Sequence, residues 1–136
     1  TGQAILAARV LGADLAYIGS AFIATDEAQA VDDYKRMVVD ATADDIVYTD
    51  FFSGVRGNYL KPSIVAAGLD PDQLASSDPT RMSFANGGAK TWRDIWGCGQ
   101  GIGMIDGVVP AATLIDRLAQ EYAHAQARAC VMTAAQ

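Results

Sequence analysis

The stretch that most limits this chain is Asp14-Leu15-Ala16-Tyr17-Ile18-Gly19-Ser20-Ala21-Phe22. An apolar run, Leu15 to Ile18, stops at a Gly-Ser pair. Such a run reads as a short buried strand. Gly19 has no Cβ, so its backbone can approach a ligand closely, and Ser20 adds a hydroxyl. Ala21-Phe22-Ile23-Ala24 is fit to begin a helix, whose first free N–H groups suit an anion. Two readings follow: a phosphate cradle, or a buried strand that ends in a tight turn.

The residues before it supply context. Ala4, Ile5, Ala7, Ala8 and Leu11 recur at helical spacing, with Thr1 as N-cap and Gly12 as the stop. The chain therefore opens helix, loop, strand, an order that belongs to α/β architecture. In (β/α)8 barrels the phosphate site commonly lies in the loops after the last two strands.

Three motifs then carry a family resemblance. They are Gly2-Gln3-Ala4 through Thr25-Asp26-Glu27, Tyr48-Thr49-Asp50-Phe51-Phe52 through Leu60, and Trp92-Arg93-Asp94-Ile95-Trp96-Gly97-Cys98-Gly99-Gln100-Gly101-Ile102-Gly103. In this order, from Thr1 to about Ala127, the chain resembles the nitronate monooxygenase (2-nitropropane dioxygenase) family. The resemblance implies a TIM-type barrel that binds FMN. It implies that the strand end Tyr17, Ile18, Gly19 and Ser20 contacts the cofactor. The family usually has Thr at the position of Ser20, so the hydroxyl is kept. It also implies an activity: FMN-dependent oxidation of alkyl nitronates by O2 to a carbonyl compound and nitrite. The alternatives are a related barrel flavoprotein such as an enoyl-thioester reductase, or a non-catalytic fragment. No catalytic base is assigned within the chain.

A (β/α)8 barrel takes about 250 residues, whereas this chain has 136 and begins with Thr1. The expectation is the C-terminal part of a longer protein, completed by a companion N-terminal segment or chain. The expected fold class is α/β: the C-terminal portion of a (β/α)8 barrel plus a small, mainly helical α+β inserted domain. Residues 1–28 form the last helix–strand unit with the phosphate-binding strand end. Residues 29–91 form the inserted substrate-side domain, and residues 92–136 the return segment and closing barrel helix. The 51% hydrophobic content fits a piece of a larger core.

The net charge of −6 argues against nucleic acid or an anionic membrane as partner. No apolar run approaches the ~20 residues that span a bilayer. Cys98 and Cys130 have neither metal-ligand nor redox spacing and read as free thiols of a reducing, cytoplasmic compartment.

Along the rest of the chain, Thr25 or Asp26 caps a helix with the stripe Val31, Tyr34, Val38 and Ala41. Asp32, Asp33, Lys35, Arg36 and Asp40 form its wet side, an ordinary solvated face rather than a metal site. Ile46 to Thr49 reads as a strand, and Phe51 to Leu60 as a loop pivoting on Gly54, Gly57 and Asn58. Phe51, Phe52 and Tyr59 either line a small apolar pocket beside Arg56 or are core. Lys61-Pro62 begins a short helix stopped by Gly68, and Asp70-Pro71 another short helical turn. Residues 76–90 read as a loop. Gly88-Ala89-Lys90-Thr91 resembles the end of a phosphate-binding P-loop, but Ala89 stands where the motif needs glycine. The alternating Gly97, Gly99, Gly101 and Gly103 do not match the dinucleotide-binding register. They either admit close backbone approach to a ligand or let packed elements touch. Ala111 to about Ala129 reads as an amphipathic helix with the stripe Leu114, Ile115, Leu118, Tyr122 and Ala125, and His124 lies off that stripe.

Overall fold

Thr1 opens the first helix, α1 (Gly2–Val10), and its hydroxyl accepts the Ala4 N–H at 3.3 Å. This satisfies one of the donors that a helix start leaves without partners. The helix ends at Gly12, which adopts φ +98°. The Gly12 N–H bonds to the Arg9 carbonyl and the Ala13 N–H to the Ala8 carbonyl, which is the Schellman closure. The computed structural model describes residues 1–75 and 91–134. The loop expected over residues 76–90, with the P-loop resemblance at its end, lies outside the described residues, as does the Trp92 side chain.

The buried strand expected at Leu15–Ile18 does not form. Among the described residues the segment has no ladder partner, and Leu15 is 89% and Tyr17 101% exposed. A strand's N–H and C=O groups are satisfied by neighbouring strands, and those of a parallel barrel come from other parts of the chain. The sequence next to this segment supplies none. The short α2 (Ser20–Ile23) follows, with Gly19 as N-cap.

The next helix, α3 (Asp32–Asp40), starts later than Thr25 or Asp26 predicts. Thr25 is used elsewhere: it forms a parallel bridge with Val109, and its hydroxyl donates to the Phe22 carbonyl at 2.8 Å. Val38 and Ala41 are buried as the stripe requires, but Val31 caps the helix and is exposed. Lys35, expected on the wet side, is buried instead. Its ammonium donates to the Thr25 carbonyl at 2.7 Å and the Asp26 carbonyl at 3.3 Å. A buried ammonium is tolerable when hydrogen bonds replace its water, and here two carbonyls at the end of the α2 segment do so.

The strands β1 (Ile46–Thr49) and β2 (Gly57–Leu60) pair antiparallel, Ile46 opposite Leu60 and Thr49 opposite Gly57. The Phe51–Leu60 segment is therefore half strand; Gly57 and Asn58 are ladder residues, and only Gly54, at φ +76°, sits in the left-handed turn region. Both edges of β2 are occupied. Leu60 N–H bonds to the Trp96 carbonyl at 2.8 Å and Cys98 N–H to the Asn58 carbonyl at 3.3 Å. Because side chains alternate along a strand, Leu60 enters one core with Val38, Cys98 and Ile102, while Tyr59 enters another with Phe52, Ile64 and Ile95.

The helix α4 (Lys61–Ala66) carries Pro62 in its first turn and closes at Gly68, φ +80°. Asp70 to Ala75 is not helical. Asp70 folds it into a turn, its carboxylate accepting the Asp72 N–H at 3.0 Å. The short α5 (Thr91–Asp94), a 3-10 turn (Gln100–Met104) and the long α6 (Ala111–Ala134) complete the described chain. Leu114 and Ala125 are buried on α6, whereas Ile115 is exposed. Glu27 accepts the Ala111 N–H at 2.8 Å and so caps α6 from outside. No helix among the described residues is long and apolar enough to cross a membrane.

The helices α1 and α6 pack at Gly2. A Cβ there would lie 2.6 Å from Glu121 Cβ and closer still to the Tyr122 nitrogen and the Leu118 carbonyl oxygen. Glu121 also accepts the Gly2 N–H at 2.6 Å, a carboxylate at the positive end of α1. Gly2→Ala forces the helices apart, and overpacking of this kind costs about 1–3 kcal/mol. The variant is expected to melt several degrees below the parent in a thermal scan; coincident melting curves would show that the helices are not in close contact in solution.

Candidate functional site

The four residues singled out at the strand end do not share one environment. Tyr17 is fully exposed, Ile18 is half-buried, Gly19 caps α2, and Ser20 is its first helical residue. Ile18 and Ser20 line a cavity of about 410 Å³. Ala21 lies beside them, the 3-10 turn contributes Gly101 and Met104, and α6 contributes Leu114 and Leu118. This volume is in the range of small-molecule sites, ~300–1,000 Å³. Among the described residues no hydrogen bond engages the N–H of Ser20 or Ala21. A Cβ built on Gly19 meets only the ring of Tyr17, at 4.0 Å. The strand end thus presents free N–H donors and open space beside a cavity, a donor set suited to an anionic group.

Ser20 itself is engaged. Its Oγ accepts the Gly99 N–H at 2.8 Å. Burial pushes the Cys98 thiol up, while hydrogen bonds from the Ser20 side chain and the Gly99 backbone pull it back down. Asp106 and Arg117 pair at 2.8 Å on the cavity wall, and the guanidinium holds the Asp106 carboxyl below its ordinary range. Gln100 is exposed and His124 lies exposed on α6.

The return segment is fixed from α3. The Tyr34 hydroxyl donates to the Gly97 carbonyl, and its ring stacks on Trp96 with centroids 4.9 Å apart and planes 18° apart. Burial, with the nearby Cys98 adding to it, pushes Tyr34 up to about 12. The Phe51–Tyr59 region is core: Phe51 and Phe52 meet edge to face at 5.1 Å, Phe52 and Tyr59 at 5.0 Å, and Phe52 is 2% exposed. Arg56 stays exposed, its guanidinium 5.9 Å from the Tyr48 ring centroid. Among the described residues no group of three or more His, Cys, Asp or Glu converges as a metal site. Sequence reasoning missed Cys98 and Gly99 as neighbours of Ser20; they are some eighty positions away, and no local pattern signals the contact.

A family model described as nitronate monooxygenase matches residues 1–121. The chain is 28% identical over 103 residues to a probable nitronate monooxygenase of Staphylococcus haemolyticus, covering 70% of this chain and 29% of that relative. A solved structure of a FabK mutant from Thermotoga maritima matches 96% of this chain and 41% of its own, with a TM-score of 0.68 at 20% identity. That likeness shows a shared fold. The chain spans less than half the length of either protein.

Tyr34 yields a test of the return segment. Its folded value, about 12, lies above the ordinary 10.0. The neutral phenol is favoured by the fold, so its stabilisation is complete below pH 10 and is lost as pH rises towards 12. Tyr34→Phe is expected to cost about 1 kcal/mol at pH 7 through the lost hydrogen bond to Gly97. It is also expected to flatten the loss of stability above pH 10. Denaturant midpoints measured from pH 9 upward check both, and parallel pH profiles for parent and variant would remove the buried phenol from the account.

Proposed function

The chain belongs to the nitronate monooxygenase family, and from that premise we propose that it supplies the FMN-phosphate side of a flavin-dependent oxidase. Members of the family are flavin oxidoreductases. The proposed reaction oxidises an alkyl nitronate with O2 and gives a carbonyl compound and nitrite. The observation that carries the reading is the Gly19–Ser20 corner: Gly19 with open space above it, and Ser20 and Ala21 with N–H groups free among the described residues, beside a cavity of about 410 Å³. These donors fit the phosphate of FMN, and the apolar Ile18, Met104 and Leu114 fit the uncharged body of a ligand. FMN, when bound, supplies the redox chemistry; the protein supplies binding, orientation and exclusion of water. In this reading Tyr17, Ile18, Gly19 and Ser20 are the cofactor-binding residues.

The exposed Leu15 and Tyr17 support a second part of the proposal. Burying one such side chain is worth about 1.5–3 kcal/mol. A companion N-terminal segment or chain supplies the missing strand neighbours, covers these side chains and completes a (β/α)8 barrel. Residues 1–28 and 92–136 then belong to the barrel, and residues 29–91 to the inserted substrate-side domain. The alternative activity, reduction of an enoyl thioester by a related barrel flavoprotein, would use the same phosphate end. NAD(P)H consumption with an enoyl thioester, against nitrite release from a nitronate, separates the two.

The first measurement is the visible spectrum of the intact protein together with its mass; an oxidised-flavin spectrum is expected, and a colourless protein that does not take up added FMN would overturn the reading. Gly19 has φ −107°, a conformation open to any residue. Gly19→Ala is therefore expected to fold normally and to lose FMN affinity by about tenfold, ~1.4 kcal/mol. Fluorescence titration with FMN reads this, and unchanged affinity would remove Gly19 from the cofactor site.

A further inference from the structure

The cavity has two walls from distant parts of the chain. Ile18, Ser20 and Ala21 form one, and Gly101, Met104 and Ile105 form the other. The hydrogen bond from Gly99 N–H to Ser20 Oγ, 2.8 Å long, joins them across 79 positions of sequence.

The neighbouring glycines show why the return segment needs this geometry. A Cβ on Gly99 would stand 3.2 Å from Ser20 Oγ, and one on Gly97 3.3 Å from the Asn58 carbonyl oxygen. At Gly101 and Gly103 a Cβ would meet nothing within 4 Å. At the first two a Cβ would be tight against the chain itself, at one against β2 and at the other against Ser20. The last two border open space.

A serine hydroxyl has one proton to donate and two lone pairs. Gly99 occupies a lone pair of Ser20. A phosphate oxygen needs donors, whereas the contact this hydroxyl makes within the chain is as an acceptor. Among the described residues the backbone N–H groups of Ser20 and Ala21 remain free for a ligand.

We propose that Ser20 is a positioning residue whose hydroxyl, by accepting the Gly99 N–H, latches the Gln100–Met104 turn in place as the far wall of the cavity. The latch deepens the flavin reading at the same site and rests on it only for the affinity arm of the test. The first arm is hydrogen exchange at Gly99 in the intact protein without flavin. The Gly99 amide is expected to be protected in the parent, to exchange at least tenfold faster in Ser20→Ala, and to be protected again in Ser20→Thr, which restores the hydroxyl. An unprotected Gly99 amide in the parent, a measurement that needs no variant, overturns the latch. So does unchanged protection in Ser20→Ala.

The second arm compares FMN with riboflavin, which lacks the phosphate. A residue that shapes the cavity wall affects both, so Ser20→Ala is expected to weaken both by the same factor. A loss confined to FMN makes the hydroxyl a phosphate ligand and overturns the positioning role. If neither flavin binds the parent, the flavin reading fails, and the exchange arm alone still decides the latch.

Discussion

The strand β2 is hydrogen-bonded along both edges, and the rest of the described chain depends on that. One edge holds β1 and the other holds Trp96 to Cys98. Ser63 locks the second edge: its hydroxyl donates to the Leu60 carbonyl at 2.8 Å and accepts the Trp96 N–H at 3.0 Å. Two backbone bonds and this serine set the height of the return segment. The position of Gly99 relative to Ser20 follows from it. The alternation of Tyr59 and Leu60 gives the same strand a side chain in each core. Displacing β2 would therefore disturb both cores and the cavity wall together.

A second set of contacts ties the helical ends to this frame with few ionic pairs. Lys35 holds the carbonyls of Thr25 and Asp26, Thr25 bridges to Val109, and Glu27 caps α6 at Ala111. The Ala111 N–H is the leading reason that the Glu27 carboxyl lies below its ordinary range, with the Lys35 charge a smaller one. Here the charged groups work mainly through backbone partners. Such bonds are directional and fix where a chain runs, whereas the exposed pair Arg36–Asp33 adds little.

What was legible in the sequence was local. Thr1 as a cap, Gly12 and Gly68 as stops, Pro62 in a first turn, and Ile46–Thr49 as a strand each depend on residues a few positions away. The proposed cofactor residues Tyr17–Ser20 come from the family resemblance, not from local chemistry. Most of the errors turn on a partner outside the local stretch, whether present or missing. Gly57 and Asn58 have turn chemistry, but pairing with β1, and for Asn58 also with Cys98, makes them strand. Lys35 belongs to the polar face by periodicity, but two carbonyls from the segment before it draw it inside. Leu15 to Ile18 have strand chemistry and, among the described residues, no neighbour to pair with. The Ser20–Gly99 contact is of the same kind, because nothing near Ser20 in sequence predicts what its hydroxyl will meet.

The candidate site is held at its ends rather than along its length. Before it, α1 is seated on α6 through the close approach at Gly2 and the Glu121 carboxylate. After it, Ser20 is tied to Gly99, and Thr25 to Val109. The segment between Gly12 and Gly19 spans these two anchorages without a ladder of its own, with Leu15 and Tyr17 in solvent. A strand normally holds its end in place by pairing along its whole length. Here helix packing on one side, and a side-chain hydrogen bond with a backbone bridge on the other, do that work. The Gly19–Ser20 corner thus has a defined position although, among the described residues, the segment before it has no pairing.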